Sequence, residues 1–299
     1  KFKLRGGNKI VLSGDDLHRH FIVKNGYKLT IKNLDLKEGY SDDDGGSLFV
    51  DNGEVNIEDS LIRNNNVASG KKGGAIYATN SATISISGST VENNKAPGGS
   101  GGAVYLDSPD TANNKAVGVT IGSTTIKNNV ADEGGSIALA KESSLTGTSC
   151  IFESNEGKKG GAVYASEKNN LDIRDSEFKS NKATETYGGA IESLSCSSME
   201  LSKVIFDANE AEEGGAGIFS NYETGDHDCV NTLLEINFKN NLVKSAGKKG
   251  GAAMHLSAVD GTKAAHQQHI ITASNFTNNK EDTTNNDVSW NEGASQSLK

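Results

Sequence analysis

The sequence has little of what anchors most folds. In 299 residues there are 2 prolines, 2 methionines, 1 tryptophan and 3 cysteines, and aromatic residues make up 6%. Cys150, Cys196 and Cys229 are too few for a disulfide framework and too far apart for a zinc pair. No run approaches the ~18 consecutive apolar residues of a membrane-spanning helix, so this segment is not expected to enter a membrane. Positive charge is not in excess either. Against 39 acidic residues stand 30 basic ones, a net charge of −9, which argues against a nucleic-acid partner. Without a G-X-Y period, collagen is excluded. The chain starts at Lys1 with no charged-then-apolar leader and reads as a fragment of a larger protein. What is present is glycine, 35 residues of it, in a chain only 34% hydrophobic with a mean hydropathy of −0.51. That composition suits either disorder or many short strands and turns, and cannot choose between them.

The periodicity chooses. Gly-Gly pairs stand at Gly45, Gly73, Gly101, Gly134, Gly160, Gly188, Gly214 and Gly250, at steps of 28, 28, 33, 26, 28, 26 and 36 residues. Most are followed by Ala or Ser and then an apolar residue, as in Gly73-Gly74-Ala75-Ile76. A second marker is an apolar residue followed three positions later by Asn. It gives Asn65, Asn94, Asn129, Asn155, Asn181, Asn209, Asn241 and Asn279, preceded by Ile62, Val91, Ile126, Phe152, Phe178, Phe206, Phe238 and Phe276. From Ile62 to Phe276 the mean unit is about 31 residues. Within a unit, Val55-x-Ile57-x-x-Ser60-x-Ile62 returns as Ile84-x-Ile86-x-x-Ser89-x-Val91: two brief period-two segments separated by a turn, hence two strands. The Gly-Gly-Ala-Ile segment supplies a third. Three short strands per unit, with no helical stripe, predict an all-β fold: a right-handed single-stranded parallel β-helix of about nine to ten coils.

In that fold each coil buries few side chains alone, and stacking builds a narrow continuous core. Ile57, Ile86, Ile121, Ile173, Leu201, Leu233 and Ile271 form one inward column. The small residues Ser60, Ser89, Thr124, Cys150 and Ser176 start another, which makes Cys150 a buried free thiol. The Asn column reads as structural: asparagine tolerates left-handed backbone at a strand-ending turn, and its amide can bond the same amide one coil away. The Gly pairs mark corners needing positive φ or close backbone approach. Gly70-Lys71-Lys72-Gly73 lacks the ending and the helix of a phosphate loop.

The alternating Gly-Gly-Ala-Ile/Val and Phe-x-x-Asn motifs, from about Leu36 to Asn279, resemble the repeats of chlamydial polymorphic membrane proteins and of Pmp-like β-helix proteins elsewhere. The resemblance implies a secreted, surface-exposed passenger region acting in adhesion. The last unit departs, with Asn286-Asp287-Val288-Ser289-Trp290 where a Gly-Gly-Ala-Ile strand belongs. The chain therefore divides into a first coil or coils over 1–35, repeats over 36–279, and a degenerate last coil and tail over 280–299, all in one β-helix domain.

The outer surface holds few candidates for chemistry. The residues before each Gly-Gly alternate in sign: Asp43-Asp44, Lys71-Lys72, Gly99-Ser100, Asp132-Glu133, Lys158-Lys159 and onward. Strands stacked ~4.8 Å apart favour opposite charges side by side, so the stripe reads as a solvated edge. Cys196 and Cys229 lie ten and nine residues before Phe206 and Phe238, nearly the same place in consecutive coils, and predict a disulfide and an oxidising setting. Asp42-Asp43-Asp44 and Asp226-His227-Asp228 are the carboxylate groups an acid/base or metal site would draw on, but neither has a partner placed across a groove. His18-Arg19-His20 is expected at the surface. Asn275-Phe276-Thr277 is the single glycosylation sequon, with Asn275 pointing outward. The longer coils, around Ser108–Lys115, Tyr222–Asn231 and Val259–His269, are candidate contact loops.

No catalytic, metal-binding or cofactor-binding residue is expected. The reading is a non-catalytic extracellular or cell-surface protein for adhesion or partner contact. Its partners would be a protein or glycan on a cell surface, or neighbouring subunits end to end. The alternatives are a structural subunit of an extracellular filament or coat, since open strand edges can stack, and a polysaccharide-degrading β-helix enzyme.

Overall fold

The computed structural model describes residues 9–108, 116–195, 197–222, 229–245, 251–258, 267–281, 284–285, 288–290 and 295–298. These residues form a parallel β-solenoid with four sheets, each ten strands deep. One coil runs through sheet I (Glu54–Glu58), sheet II (Leu61–Arg63), sheet III (Asn66–Val67) and sheet IV (Ile76–Thr79), and the next opens with Thr83–Ser87 back in sheet I. The three expected strands are sheets I, II and IV. Sheet III adds a fourth, mostly of two residues, which is too short to display a period in the sequence.

Strands pair in register, so each sequence column becomes a physical one. Ile57 pairs with Ile86 and Ile86 with Ile121 in sheet I, and Ile62 with Val91 and Val91 with Ile126 in sheet II. Alternation follows: Glu54–Glu58 reads half-exposed, buried, half-exposed, buried, half-exposed. The inward residues of sheets I, II and IV form one continuous cluster from Val23 to Ile271. In sheet II the column changes from aliphatic to aromatic. Phe152, Phe178, Phe206, Phe238 and Phe276 stack with centroids 4.5–5.1 Å apart and planes within 2–11° of parallel. The strand spacing sets this separation, and it falls in the range where offset stacking adds to burial.

The corners are made by single residues in left-handed conformation. Between sheets I and II stands Asp59 (φ 47°), and between sheets II and III stands Asn64 (φ 55°). At the entry to sheet IV the Gly pair divides its labour. Gly73 has φ 66°, while a Cβ on Gly74 would lie 2.2 Å from the carbonyl oxygen of Gly102 in the next coil. The first glycine is needed for its backbone and the second for the closeness of the coils. At the far end, Val288–Trp290 and Ser295–Leu298 continue sheets IV and I, and Thr284–Asn285 turns back antiparallel on Lys280–Glu281.

Because contacts run only between neighbouring coils, damage to one column should weaken the whole stack. Phe206→Ala removes a fully buried ring that stacks on both Phe178 and Phe238. It is expected to cost about 3–5 kcal/mol in denaturant unfolding; a loss under 1 kcal/mol would mean that the aromatic column is not packed as described.

Candidate functional site

The most ordered polar feature is inside the solenoid. Asn65, Asn94, Asn129, Asn155, Asn181, Asn209, Asn241 and Asn279 are all fully buried. Each of the first seven donates its side-chain amide to the Oδ1 of the next, at 2.8–3.0 Å. The same Oδ1 accepts the backbone N–H of the previous asparagine, as in Asn94 N to Asn129 Oδ1 at 3.0 Å. The second amide hydrogen goes back to a carbonyl of the preceding coil, as from Asn94 to Ile62 O at 3.1 Å. Two donors and two acceptor positions are thereby satisfied, the full capacity of a primary amide. In the first coil Gly39 holds the ladder position, and its N–H donates to Asn65 Oδ1 at 2.8 Å. A Cβ on Gly39 would meet both that oxygen and the His20 ring.

The small-residue column is a second ladder that the sequence did not disclose. Ser60 N donates to Ser89 Oγ at 3.0 Å and Cys150 N to Ser176 Oγ at 3.0 Å, so a hydroxyl in one coil caps an amide of the coil before. Cys150 is buried and free, and burial pushes its thiol pKa up. Beside it the inward column of sheet I holds Gly147, paired with Ile121 and Ile173. That break in the hydrophobic spacing hides one coil from a pattern search. Near the C-terminal end Asn231 and His269 replace aliphatic residues in the other inward column. Asn231 Oδ1 accepts from Met199 N at 3.1 Å, and its Nδ2 lies 3.2 Å from His269 Nδ1. Burial lowers the His269 pKa to about 4, so the ring is neutral at physiological pH.

The charged stripe pairs across coils. Lys71 meets Asp43 at 3.1 Å, Lys158 meets Asp132 at 3.2 Å and Glu185 at 3.3 Å, and Lys159 meets Glu133 at 3.1 Å. Most of these side chains are substantially exposed, so each pair contributes ~0–1 kcal/mol and its main effect is to cancel charge along the edge. Behind the stripe, on the outer side of sheet IV, Phe49, Tyr77 and Tyr105 stack at 5.4 and 5.6 Å, and Lys72 lies over the Tyr105 ring. Glu192 occupies the same column, paired between Tyr164 and Phe219. Its side chain is buried and its Oε2 accepts from Gly160 N at 3.0 Å. Loss of solvation raises its pKa to about 8, although Lys159 pulls the other way.

The remaining sequence candidates fall as follows. Asp42, Asp43 and Asp44 are occupied separately: Asp42 accepts from Tyr40, Asp43 pairs with Lys71, and Asp44 accepts the backbone N–H of Lys72. Arg19 and His20, expected at the surface, are half-buried. Arg19 Nε donates to Gly45 O at 2.7 Å, and His20 bridges Ser47 Oγ and Leu12 O at 2.9 and 3.0 Å. Asn275 is exposed at the start of its sheet II strand. Cys196, the Cys229 side chain, and therefore their expected disulfide, lie outside the described residues, as do Asp226-His227-Asp228 and the central parts of the three contact loops. Three residues of these loops are described and buried, Ser108, Asn231 and His269, and the last two belong to an inward column of the core. Among the described residues, no group of three or more His, Cys, Asp or Glu side chains is placed to hold a metal ion.

Stacked columns, an amide ladder and Gly-Gly corners define a parallel β-solenoid built from one repeat. Residues 59–79, the stretch from the Asp59 corner through the Asn65 ladder position to the strand Ile76–Thr79, match the Chlamydia polymorphic membrane protein repeat. The match covers this one unit, and the other coils repeat its columns in register. Comparison with curated proteins finds no significant match, and neither does comparison with solved structures.

Glu192 gives the fold a definite pH dependence. Its folded-state pKa, about 8, lies above the ordinary carboxylate value, so the folded chain keeps a proton that the unfolded chain releases. The stability it contributes is full below about pH 4.5 and is lost as pH rises through about 8. Glu192→Gln, which cannot ionise, is expected to gain melting temperature relative to the parent protein across that window and to level off above it. A parent-to-variant difference that is flat between pH 5 and 8.5 would contradict the burial of this carboxyl.

Proposed function

We propose that this chain is an extracellular or cell-surface β-helix that mediates adhesion or partner contact without catalysis, displayed in the manner of an autotransporter passenger. The observation that carries the proposal is the match of residues 59–79 to the polymorphic membrane protein repeat, within a solenoid whose other coils repeat the same columns. The architecture suits the task. Folding consumes the inward columns and leaves the outward ones free to vary, so a long lateral surface can be decorated with little cost to the scaffold. Neighbouring coils neutralise one another's charges, which leaves recognition to local shape and hydrogen bonding.

A second reading, a filament subunit, draws on the first coil. Val11, Leu17, Ile22 and Tyr27 are 50–72% exposed there. Among the described residues, the strands Ile10–Ser13, Phe21–Lys24 and Lys28–Lys32 each pair on one side only.

Binding of fluorescently labelled chain to cultured epithelial cells, with its sedimentation measured in parallel, separates the two. The adhesion reading expects a monomer whose binding saturates and is displaced by excess unlabelled chain. Binding that rises linearly and resists displacement would overturn it, and concentration-dependent growth into long particles would put the filament in its place.

A further inference from the structure

The corner between sheets II and III carries an outer row of asparagines beside the buried ladder. The corner residues, one per coil, are Glu38, Asn64, Asn93, Asn128, Ser154, Ser180, Ala208, Asn240 and Asn278, and each has φ between 54° and 56°. Glycine adopts that conformation at least cost, and this chain uses it at the entry to sheet IV, where Gly45, Gly73, Gly101, Gly134, Gly160 and Gly188 all have positive φ, whereas the corner between sheets I and II, like this one, is built mostly of other residues such as Asn33, Asp59 and Ser123. In the outer row glycine never appears. Five of the nine are asparagine, which tolerates left-handed backbone, and each of those five carries a primary amide.

Those side chains surround empty space. Asn64, Asn93 and Asn128, from three consecutive coils, line a depression of about 470 Å³ together with Asn66, Asp16 and Lys95. That volume lies within the range of small-ligand sites. Among the described residues, no hydrogen bond ties down the side chains of Asn64, Asn93 or Asn128. The Oδ1 of Asn66 is buried at the wall without a partner. A depression of similar lining recurs six to seven coils from Asn64, with Asn240 held there by Asp207 at 3.0 Å. Asn240 and Asn278 line a second depression of about 420 Å³ with Lys280. Asn93-Asn94-Lys95 and Asn278-Asn279-Lys280 are the same tripeptide at the same place in the coil.

The lining selects the ligand. Each primary amide offers two donors and one acceptor, which complements a hydroxyl group that both gives and takes a hydrogen bond. The one carboxylate, Asp16, and the one ammonium, Lys95, leave no net charge, whereas a polyanion would call for clustered Lys and Arg. The walls are amide and charge, unsuited to an apolar side chain. Coils ~4.8 Å apart repeat the amides along the solenoid, so an extended ligand meets the same groups at successive steps.

We propose that this asparagine corner is a binding groove for a neutral, hydroxyl-rich glycan, with Asn64, Asn93 and Asn128 as its principal contacts. The proposal rests on the surface-contact reading above and names a ligand class for it.

The test is titration of the full 15N-labelled chain with cellohexaose, maltohexaose and mannohexaose as neutral probes, and with hexagalacturonate and a heparin hexasaccharide as anionic ones. At least one neutral hexasaccharide is expected to shift the side-chain amide signals of Asn64, Asn93 and Asn128 saturably. Asn64→Gly and Asn93→Gly keep the left-handed corner and remove the amide. Each is expected to weaken binding at least tenfold, while Asn33→Gly, at the left-handed corner between sheets I and II, leaves it unchanged. Absence of saturable binding by any neutral probe at millimolar concentration, binding of the anionic probes alone, or binding unaffected by the Asn64 and Asn93 variants would each overturn the proposal. If saturable cell binding persists in any of those cases, the groove assignment fails while the adhesion reading stands.

Discussion

Everything in this structure depends on the buried asparagine amide that joins each coil to the next. At the corner between sheets II and III the backbone turns sharply inside the protein, where an unpaired N–H or carbonyl is costly. The ladder meets that demand with one side chain per coil, whose carbonyl oxygen takes two hydrogens from the coil before and whose amide hydrogens go to the coil after and back to the coil before. The constraint is local and repeated, so it fixes the register of the stack without fixing the length of the coil. Sequence separations between successive ladder residues range from 26 to 38 while the amide–amide distances stay at 2.8–3.0 Å. Insertions accumulate elsewhere in the coil, and the core columns remain aligned.

Column by column, the sequence displayed this logic unevenly. The Phe-x-x-Asn and Gly-Gly markers were visible because they recur at one place in every coil and because each residue type has a specific physical use there. Sheet III was not visible, since a two-residue strand such as Asn66–Val67 has no period of its own. Gly147 interrupts an otherwise aliphatic column and concealed one rung. The hydroxyl ladder from Ser60 onward looked like a matter of size, because its hydrogen bonds to the previous coil's amides need the register to be known. Asn231 and His269 sit in sequence stretches that read as polar loops, yet both are core residues, in contact at 3.2 Å. Glu192 gave no signal at all: its column is aromatic in several other coils, and only the packing reveals a buried carboxyl there.

The division between inside and outside also explains the polar composition. With few inward residues per coil, a solenoid can be folded at 34% hydrophobic content. Its charges are placed mostly by cross-coil pairing, as Lys32 with Glu58 and Arg63 with Asp35 illustrate on other faces. The net charge of −9 is thus an excess spread along a long surface and not a focused field. On such a neutralised exterior the side chains of Asn64, Asn93 and Asn128, which line one depression, stand out, whereas Asn240 of the same row is held by Asp207 at 3.0 Å.

The most direct test of the ladder's central place is amide hydrogen exchange resolved by residue. The backbone N–H groups of Asn65, Asn94, Asn129, Asn155, Asn181, Asn209 and Asn241 each donate to the next asparagine's Oδ1 at 3.0–3.1 Å. Although they sit in turns and not in strands, they are expected to exchange as slowly as the buried strands of sheet II, through opening of the stack as a whole. Exchange at the unprotected rate of an amide open to solvent would contradict the ladder as the interaction that holds the coils together.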